Sequence, residues 1–480
     1  MQPTRNLTLM TDLYELTMMN GYHAIGSSDR VAVFDLFFRQ SGQISYAIAS
    51  GLEQAVEYIQ NLHFSEEDIE YLRQSAGLGE EFLQTLKNFR FTGDIYAVPE
   101  GTIVFPNEPI LIVRAPLSEA QLIEPALLNI INHQTLIATK ASKVKMSAGK
   151  ATVAEFGLRR AQAPDAGIYG ARASVIGGCS STSNVLAGRL FNIPIKGTMA
   201  HSWIMSFDSE LEAFRKFAEI YPDNTLLLVD TYDTLRSGIP NAIKVFDELK
   251  AKGKKPLGIR LDSGDLAYLS KKARKMLDDA GHNDAIIFAS CDLDEYVISS
   301  LNEQGAKIDA YGVGTRLITS QNMPSLGGVY KLAELVENGV RVPKIKISDT
   351  HDKITNPGFK TVYRVYDDEG MAFADLIALN DEVIDESKPL KLTHPEMRWK
   401  TTTLDKYTLR KLLIPVFVNG KLVYELPELS DIADYGKNEK STFWDEYLRN
   451  VNPEIYKVDL SDELYELKVK LIAEHTGGKK

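Results

Sequence analysis

Short apolar runs alternate with amphipathic stretches through the middle of the chain. Seven runs predict strands, and they lie at residues 152–156, 173–176, 193–197, 225–230, 257–262, 285–290 and 308–311. The stretches that separate the last four have helical periodicity and lie at 239–252, 265–280 and 293–303. Apolar strands that alternate with helices are typical of a buried parallel sheet, here of about seven strands.

Polar residues and glycines follow several of these strands at their carboxyl ends. They are Arg159, His201, Asp230, Asp262 and the segment 312–314. In a barrel all of these ends meet on one face. An open, doubly wound sheet would gather only the ends near its switch point. The wide distribution favours an α/β barrel, with the open sheet as the alternative.

The pattern differs on both sides of this segment. Before it, residues 31–38 predict a strand and residues 51–61 a helix. Ser118 and Gln121 have capping-box spacing ahead of a long periodic run that ends near Met146. After about residue 344 strands and turns return, and residues 442–475 are predicted to be mostly helical with a solvated, charged face.

Composition and charge narrow the class of protein. The 480 residues are 44% hydrophobic and 25% charged, which excludes disorder for most of the chain. A net charge of −11 argues against nucleic acid or an anionic membrane as partner, but a few local cations can still hold a small anion. With two cysteines, no apolar run near the ~18 residues of a membrane span and no export signal at the N-terminus, we expect a cytoplasmic enzyme.

Two segments suggest an anionic ligand. Gly312-Val313-Gly314-Thr315 directly follows the last predicted strand, where such barrels often bind phosphate; a tight turn is the alternative. Arg260 and Asp262 alternate with apolar neighbours, so both point to one face of their strand. Inside a barrel they need each other or a ligand, and we favour a ligand. Asp265 fits the N-cap of the next helix.

Two further strand ends carry candidate chemistry. Phe156 is followed by the adjacent arginines Arg159 and Arg160, one of which we expect to point at the site. Phe156 is either a core residue or a platform for a flat ring. His201 lies among small residues after residues 193–197 and is a candidate nucleophile or acid–base group, with a structural role as the alternative.

Taken together, these segments resemble the nicotinate phosphoribosyltransferase family. The matching segments are 11–14, 34–39, 155–162, 197–202, 260–265, 312–315, 357–360 and 363–364. They occur in the order of the family and cover about residues 5–370. The resemblance implies a type II phosphoribosyltransferase-like fold: an irregular parallel α/β barrel of about seven strands with an adjoining α/β sandwich domain. Residues 1–146 would form the N-terminal part of the sandwich and residues 147–343 the barrel, while residues 344–480 would return to the sandwich and add a mostly helical extension.

The resemblance also implies a reaction of NAD biosynthesis. Nicotinate attacks C1 of 5-phosphoribosyl 1-pyrophosphate, which gives nicotinate mononucleotide and pyrophosphate. ATP hydrolysis is coupled to this glycosyl transfer through a phosphohistidine, and Mg²⁺ accompanies the pyrophosphate, with its protein ligands unassigned. The enzyme is expected to be a homodimer with shared active sites.

The resemblance assigns roles residue by residue. His201 is the phosphorylated histidine, and Asp262 is its catalytic companion, next to ribose or the magnesium pyrophosphate. The nicotinate-binding residues are Tyr14 (from the partner subunit), Phe156, Arg159, Thr198 and Arg260. The 5-phosphate is held by Gly312, Gly314 and Thr315.

Three alternatives remain. The nicotinamide enzyme shares the fold, but its family places an aspartate in the loop that corresponds to residues 177–184, which here contains no acid. A barrel lyase would need a Schiff-base lysine at a strand end, where only Lys196 is near. A non-catalytic barrel that binds a phosphate ligand is the third.

Overall fold

The computed structural model of the chain describes residues 5–40, 44–348, 353–394 and 397–477. The chain divides into two compact units. The first unit comprises 1–136 and 325–480, and the second comprises 137–324. The chain therefore enters the second unit at 137 and leaves it at 325, whereas the sequence-based boundaries were placed at 147 and 344.

Seventeen α-helices lie in the described part of the chain. They are α1 (Leu13–Ala24), α2 (Leu52–Gln60), α3 (Glu66–Ser75), α4 (Glu80–Leu86), α5 (Leu117–Leu122), α6 (Glu124–Ala148), α7 (Pro164–Gly177), α8 (Val185–Phe191), α9 (His201–Met205), α10 (Glu210–Ile220), α11 (Ile239–Ala251), α12 (Leu266–Asp279), α13 (Glu295–Glu303), α14 (Thr315–Ile318), α15 (Leu429–Lys440), α16 (Asp445–Leu448) and α17 (Asp462–Thr476). None of these helices has the length and apolar character that a membrane span requires.

Twenty-one strands lie in the same described ranges. They are β1 (Val31–Phe38), β2 (Ala47–Ile48), β3 (Asp94–Ala97), β4 (Ile103–Val104), β5 (Leu111–Pro116), β6 (Thr152–Glu155), β7 (Ser181–Thr182), β8 (Leu226–Leu228), β9 (Gly258–Leu261), β10 (Ile286–Cys291), β11 (Ala310–Val313), β12 (Gly328–Glu337), β13 (Val340–Pro343), β14 (Lys360–Tyr366), β15 (Ala372–Leu379), β16 (Leu390–Thr393), β17 (Thr401–Leu404), β18 (Thr408–Lys411), β19 (Ile414–Val418), β20 (Lys421–Leu422) and β21 (Lys457–Leu460).

The second unit is built on a parallel sheet of six strands, which confirms the predicted parallel α/β arrangement. The strand order is β7-β6-β11-β10-β9-β8, and every neighbouring pair is parallel. Because β6 pairs with β11, the first strand of the unit lies beside the last. The carboxyl ends of all six strands therefore lie at one edge.

The two faces of this sheet differ. On one face Leu227, Ile259 and Ile287 are fully buried. The other face carries an apolar cluster of small and aromatic residues made of Ala154, Leu226, Phe288 and Ala310, with Phe156 and Ile286 packed against it. Arg260 is in register with Phe288 and so belongs to this second face. Arg260 thus lies on the face of the sheet that carries the aromatic rings, as the alternation of polar and apolar residues predicts.

Three local predictions are wrong. Residues 173–176 are not a strand but lie in α7, which has a proline in its first turn and ends at Gly178 with φ of 120°. Their apolar character reflects burial of the helix, because Ala173 and Ile176 are 0% and 1% exposed. Residues 193–197 form only a single parallel bridge, between Ile195 and Thr182.

The third wrong prediction is the capping box at Ser118. Helix α5 already begins at Leu117, and no side chain caps it. Instead, the N–H groups of Leu117 and Ser118 donate to the carbonyls of Arg30 and Ser28 at 2.8 and 3.3 Å. Tertiary contacts thus replace the cap that the sequence predicts.

The first unit combines strands from both ends of the chain. Its largest sheet is antiparallel and has the order β13-β12-β1-β5-β3-β19-β20. A second, four-stranded sheet has the order β18-β14-β15-β21. The C-terminal tail is less helical than predicted, because Lys457–Leu460 pairs in parallel with β15 as its edge strand.

Candidate active site

A polar cluster occupies the carboxyl ends of β8, β9 and β10 in the second unit. Asp230 follows β8, Asp262 follows β9, and Ser290 lies near the end of β10. His201 is the first residue of α9. The structure therefore brings together His201, Arg260 and Asp262, as the sequence predicts.

Arg260 is held by three kinds of partner. Its Nη2 donates to Asp262 Oδ1 at 2.7 Å, and its Nε donates to Ser290 Oγ at 2.9 Å. Its Nη1 lies 3.3 Å from the Met199 carbonyl and 3.4 Å from Thr198 Oγ1, both long contacts. The guanidinium is thus fixed, but it is not saturated.

Asp262 is held as a carboxylate by its neighbours. Burial alone would raise the pKa of Asp262, but the Ser290 hydroxyl, the Arg260 guanidinium and the His201 ring together lower it below its ordinary value. The Ser290 hydroxyl donates a short hydrogen bond to Oδ1. The second oxygen, Oδ2, lies 3.8 Å from His201 Nε2. An ionised carboxylate beside an imidazole can stabilise positive charge there.

The ring of His201 lies between a hydroxyl and two carboxylates. Its Nδ1 is 3.0 Å from Thr231 Oγ1. Its Nε2 is 4.0 Å from Asp230 Oδ1 and also faces Asp262. The side chain is 38% exposed, so a ligand can reach the ring. Each ring nitrogen thus has a polar group close by: Nδ1 the Thr231 hydroxyl, and Nε2 the two carboxylates.

Asp230 is a buried carboxylate with unequal oxygens. Its Oδ2 accepts from the Asp262 N–H at 2.8 Å and from Ser263 Oγ at 2.7 Å. Its Oδ1, which faces His201, is buried and has no hydrogen-bond partner among the described residues. Asp230 therefore fixes the turn after β9 with one oxygen and presents the other to His201.

The aromatic floor of the cluster consists of Phe156 and Phe288. Their rings are stacked with centroids 5.6 Å apart, and Arg260 Cζ lies 6.0 Å from the Phe156 ring. A Cβ on Gly312 would lie 2.8 Å from atoms of both rings. Glycine is therefore required at 312 by the rings, a reason that the sequence did not suggest.

The acid-free loop is tied to this floor through Glu155. Its carboxyl accepts from Thr182 Oγ1 at 2.6 Å and, over a short distance, from the Gly157 N–H. Burial raises the pKa of Glu155, partly offset by these donors, so the side chain is shifted towards its neutral form. The loop itself, residues 177–184, adds no acidic side chain here.

The other predicted site residues lie outside the hydrogen-bonded cluster of His201, Arg260 and Asp262. Arg159 is exposed in a 3₁₀ turn, Leu158–Arg160, and takes part in none of the hydrogen bonds described above for the cluster. Gly314 and Thr315 stand at the start of α14, after β11. Tyr14 lies in the first unit, on α1, and is half exposed.

Asp230 is predicted from the sequence as a strand-end residue without a role, and Thr231 and Ser290 are site residues that the sequence did not predict. The sequence contains a signal that could have identified Asp230 and Ser290 as site residues. Both Asp230 and Ser290 end apolar runs in the same way as Asp262 does. Asp265 is confirmed as the N-cap of α12, because its carboxylate accepts from the Tyr268 N–H at 2.9 Å.

Comparison with known proteins gives a consistent result. Three family models match: the nicotinate phosphoribosyltransferase N-terminal domain at residues 9–132, the nicotinate phosphoribosyltransferase family at 151–370 and the nicotinate phosphoribosyltransferase C-terminal domain at 359–468. Nicotinate phosphoribosyltransferase from Bacillus subtilis is 48% identical over 98% of this chain and 96% of its own length. The enzyme from Dictyostelium discoideum is 37% identical over 95% of this chain and 87% of its own length.

Solved structures agree in fold. The crystal structure of human nicotinic acid phosphoribosyltransferase superposes with a TM-score of 0.85 at 29% identity, covering 96% of this chain and 99% of that one. Nicotinate-nucleotide pyrophosphorylase from Pyrococcus furiosus shares the fold, with a TM-score of 0.69 at 22% identity over 91% of this chain and 96% of that one. From the extent of these matches, the chain is an enzyme that belongs to the nicotinate phosphoribosyltransferase family.

Proposed function

We propose that the chain transfers the phosphoribosyl group of 5-phosphoribosyl 1-pyrophosphate to nicotinate, a step of NAD biosynthesis. The pyridine nitrogen forms a bond to C1 of the ribose, the bond from C1 to the pyrophosphate oxygen breaks, and pyrophosphate leaves. The observation that supports this most is Arg260, a fixed but unsaturated guanidinium above an aromatic floor. A flat acid such as nicotinate needs a cation for its carboxylate and an aromatic surface for its ring.

Arg260 is the proposed carboxylate partner. A guanidinium has five N–H donors, and a planar fork can bind a carboxylate through two of them. Phe156 is the proposed stacking surface, and a stacked aromatic pair contributes about 0.5–1.5 kcal/mol beyond burial. Thr198 borders this space through its contact with Arg260. Arg159 stays a proposal from the resemblance, as a cation that reaches the site when substrate is bound.

Asp262 is the proposed electrostatic partner of the reacting sugar. Departure of pyrophosphate leaves positive charge on the ribose ring, and an oriented carboxylate stabilises that charge. Asp262 is ionised by its hydrogen bonds and partly open to the site. The backbone around Gly312, Gly314 and Thr315 is proposed to hold the 5-phosphate, at the strand end where barrels of this kind bind phosphate.

ATP and Mg²⁺ are the proposed co-substrate and cofactor. A ring nitrogen of His201 would attack the γ-phosphorus of ATP, the bond to the ADP oxygen would break, and water would later release phosphate. The described residues contain no cluster of three or more side chains that could hold a metal. Mg²⁺ is proposed to be held mainly by substrate phosphates, with Asp262 as a protein ligand, and the ion would shield pyrophosphate charge.

Two structural proposals accompany the reaction. The six-stranded sheet is proposed to close irregularly into a barrel, which is supported by the pairing of its first strand with its last. The enzyme is proposed to be a homodimer in which Tyr14 of one subunit covers the pyridine ring in the other. The exposed ring of Tyr14 on α1 is compatible with that role.

One experiment tests the proposed chemistry. Purified protein is incubated with nicotinate, 5-phosphoribosyl 1-pyrophosphate and Mg²⁺, with and without ATP, and compared with His201→Ala. We expect ATP stimulation and base-stable phosphoryl label in the wild type only, and slow ATP-independent transfer in both. Base-stable label in His201→Ala would exclude His201 as the acceptor. Equal turnover of nicotinamide would favour the amide enzyme instead.

A further inference from the structure

Ser290 lies at the centre of the Arg260–Asp262 pair. It is the fifth residue of β10, is 4% exposed and is in register with Gly312 on the neighbouring strand. Its Oγ accepts from Arg260 Nε at 2.9 Å and donates to Asp262 Oδ1. Because Arg260 Nη2 also donates to Asp262 Oδ1, the three side chains form a closed triangle of hydrogen bonds.

This triangle takes the place of a bidentate pair between Arg260 and Asp262. An arginine and a carboxylate pair best in a bidentate way, through two parallel hydrogen bonds. Ser290 occupies both Nε of Arg260 and Oδ1 of Asp262, so the pair makes a single direct bond. Asp262 Oδ2 stays turned towards His201. Part of the outer edge of the guanidinium, at Nη1 and Nη2, stays available for a ligand.

We propose that Ser290 is a positioning residue for acid recognition, which anchors Nε of Arg260 and so fixes the orientation in which the guanidinium presents its Nη1–Nη2 edge to the substrate carboxylate. This inference rests on the proposed function and deepens it, because it names a residue that sets the preference for a carboxylate over an amide. Without the hydroxyl, Nε of Arg260 loses its partner, and the guanidinium is no longer held in this orientation. Affinity is then lost for carboxylate ligands, which need the oriented guanidinium, but not for uncharged pyridines.

The test compares Ser290→Ala and Ser290→Thr with the wild type. We measure the KM for nicotinate, the inhibition constant of nicotinamide and the thermal unfolding midpoint of each protein. Ser290→Ala is expected to raise the nicotinate KM about tenfold and to leave nicotinamide inhibition unchanged within about twofold. Ser290→Thr keeps the hydroxyl and is expected to restore the nicotinate KM. Ser270→Ala, a buried serine of α12, is the matched control and is expected to change neither constant.

Several results would overturn the inference. An unchanged nicotinate KM in Ser290→Ala would do so, and so would an equal loss for nicotinate and nicotinamide, which would indicate a general packing role. If Ser290→Ala does not fold, Ser290→Cys replaces it, because a thiol has similar size but bonds weakly; the same outcomes then apply. A wild type without activity on nicotinate would overturn the proposed function itself, before any variant is compared.

Discussion

Two of the arginine–aspartate pairs in the described part of the chain differ in how far they are open to solvent. Arg364 and Asp375, in the first unit, are both 0% exposed at their side chains. Arg260 and Asp262, in the second unit, are 14% and 32% exposed. The first pair is closed to solvent on every side, whereas the second opens at the carboxyl edge of a parallel sheet.

The hydrogen bonds of Arg364 all go to buried groups. It binds Asp375 in a bidentate way, through Nε at 2.9 Å and Nη2 at 2.6 Å. Its Nη2 also donates to the Ile103 carbonyl at 2.7 Å, and its Nη1 makes a short bond to Glu439. Burial alone would lower the pKa of Arg364, but Asp375 and its other neighbours raise it well above its ordinary value. Nothing in this network is left for a ligand.

The comparison separates a structural arginine from a binding one. Arg364 uses Nε and Nη2 for a bidentate pair with Asp375, whereas Arg260 divides the same two nitrogens between Ser290 and Asp262. Each arginine lies in a strand next to apolar residues, so the pattern of the sequence treats them equally. Because each arginine donates four hydrogen bonds, the exposure of the guanidinium and of its partner acid decides between the two roles.

The largest expected effect is on folding. Arg364→Leu leaves Asp375 buried without its counter-charge, and we expect a loss of about 3–5 kcal/mol in the free energy of unfolding. Arg260→Ala removes a pair that is open to solvent and should cost about 1 kcal/mol or less. Urea unfolding of both variants measures the difference. An equal loss of unfolding free energy in both variants would show that the two pairs contribute equally to stability.

An intermediate effect is expected at the floor of the open cluster. Gly312→Ala places a Cβ 2.8 Å from atoms of both Phe156 and Phe288, so the rings must move. We expect a loss of about 1–3 kcal/mol in stability, as for other overpacked sites. Gly314→Ala meets its nearest atom, the Phe156 carbonyl oxygen, at 3.1 Å and should cost less. Thermal unfolding of both variants tests the order, and a harmless Gly312→Ala would show that the floor is loosely packed.

The smallest effect concerns Glu15, a buried acid on α1. Its Oε2 accepts from Gln121 Nε2 at 2.5 Å, and burial raises its pKa from 4.5 to about 7. Because the folded state holds the proton more tightly, this group's contribution to stability is complete below pH 4.5 and is lost as the pH rises through about 7. Relative to Glu15→Gln, the wild type should therefore lose stability between pH 5 and pH 8.

Unfolding midpoints in urea at those two pH values provide the measurement for Glu15. The exposed acid Glu67 on α3 supplies the control, since Glu67→Gln should show no such change relative to the wild type. A difference between wild type and Glu15→Gln that stays constant with pH would show that Glu15 is already ionised in the folded protein at pH 5.

Much of the second unit follows from periodicity. The parallel strands β8 to β11 and the helices between them lie close to the positions that the apolar runs predict. The shared face of Arg260 and Asp262 follows from alternation within one strand, and they are bonded. The local sequence pattern was sufficient to predict these features because each depends on residues within one strand or helix or directly next to it.

The rest depends on contacts between elements that are distant in sequence. The approach of Asp230 to His201 and of Ser290 to Arg260 joins residues that are 29 and 30 positions apart. These contacts are set by the register of β8, β9 and β10, which no single strand encodes. Residues 173–176 were misassigned for a related reason: a buried helix and a buried strand have the same apolar composition over four residues.

The central claim is that the open fork of Arg260 receives the carboxylate of nicotinate. The most direct test is the steady-state KM for nicotinate and for nicotinamide in wild type and Arg260→Ala, with 5-phosphoribosyl 1-pyrophosphate, ATP and Mg²⁺ at saturation. The account predicts a strong preference of the wild type for nicotinate. It also predicts that Arg260→Ala loses about 1.5–3 kcal/mol of nicotinate binding, roughly ten- to a hundredfold in KM, with nicotinamide unaffected. A nicotinate KM that is unchanged in Arg260→Ala, in protein that is folded and active, would contradict it.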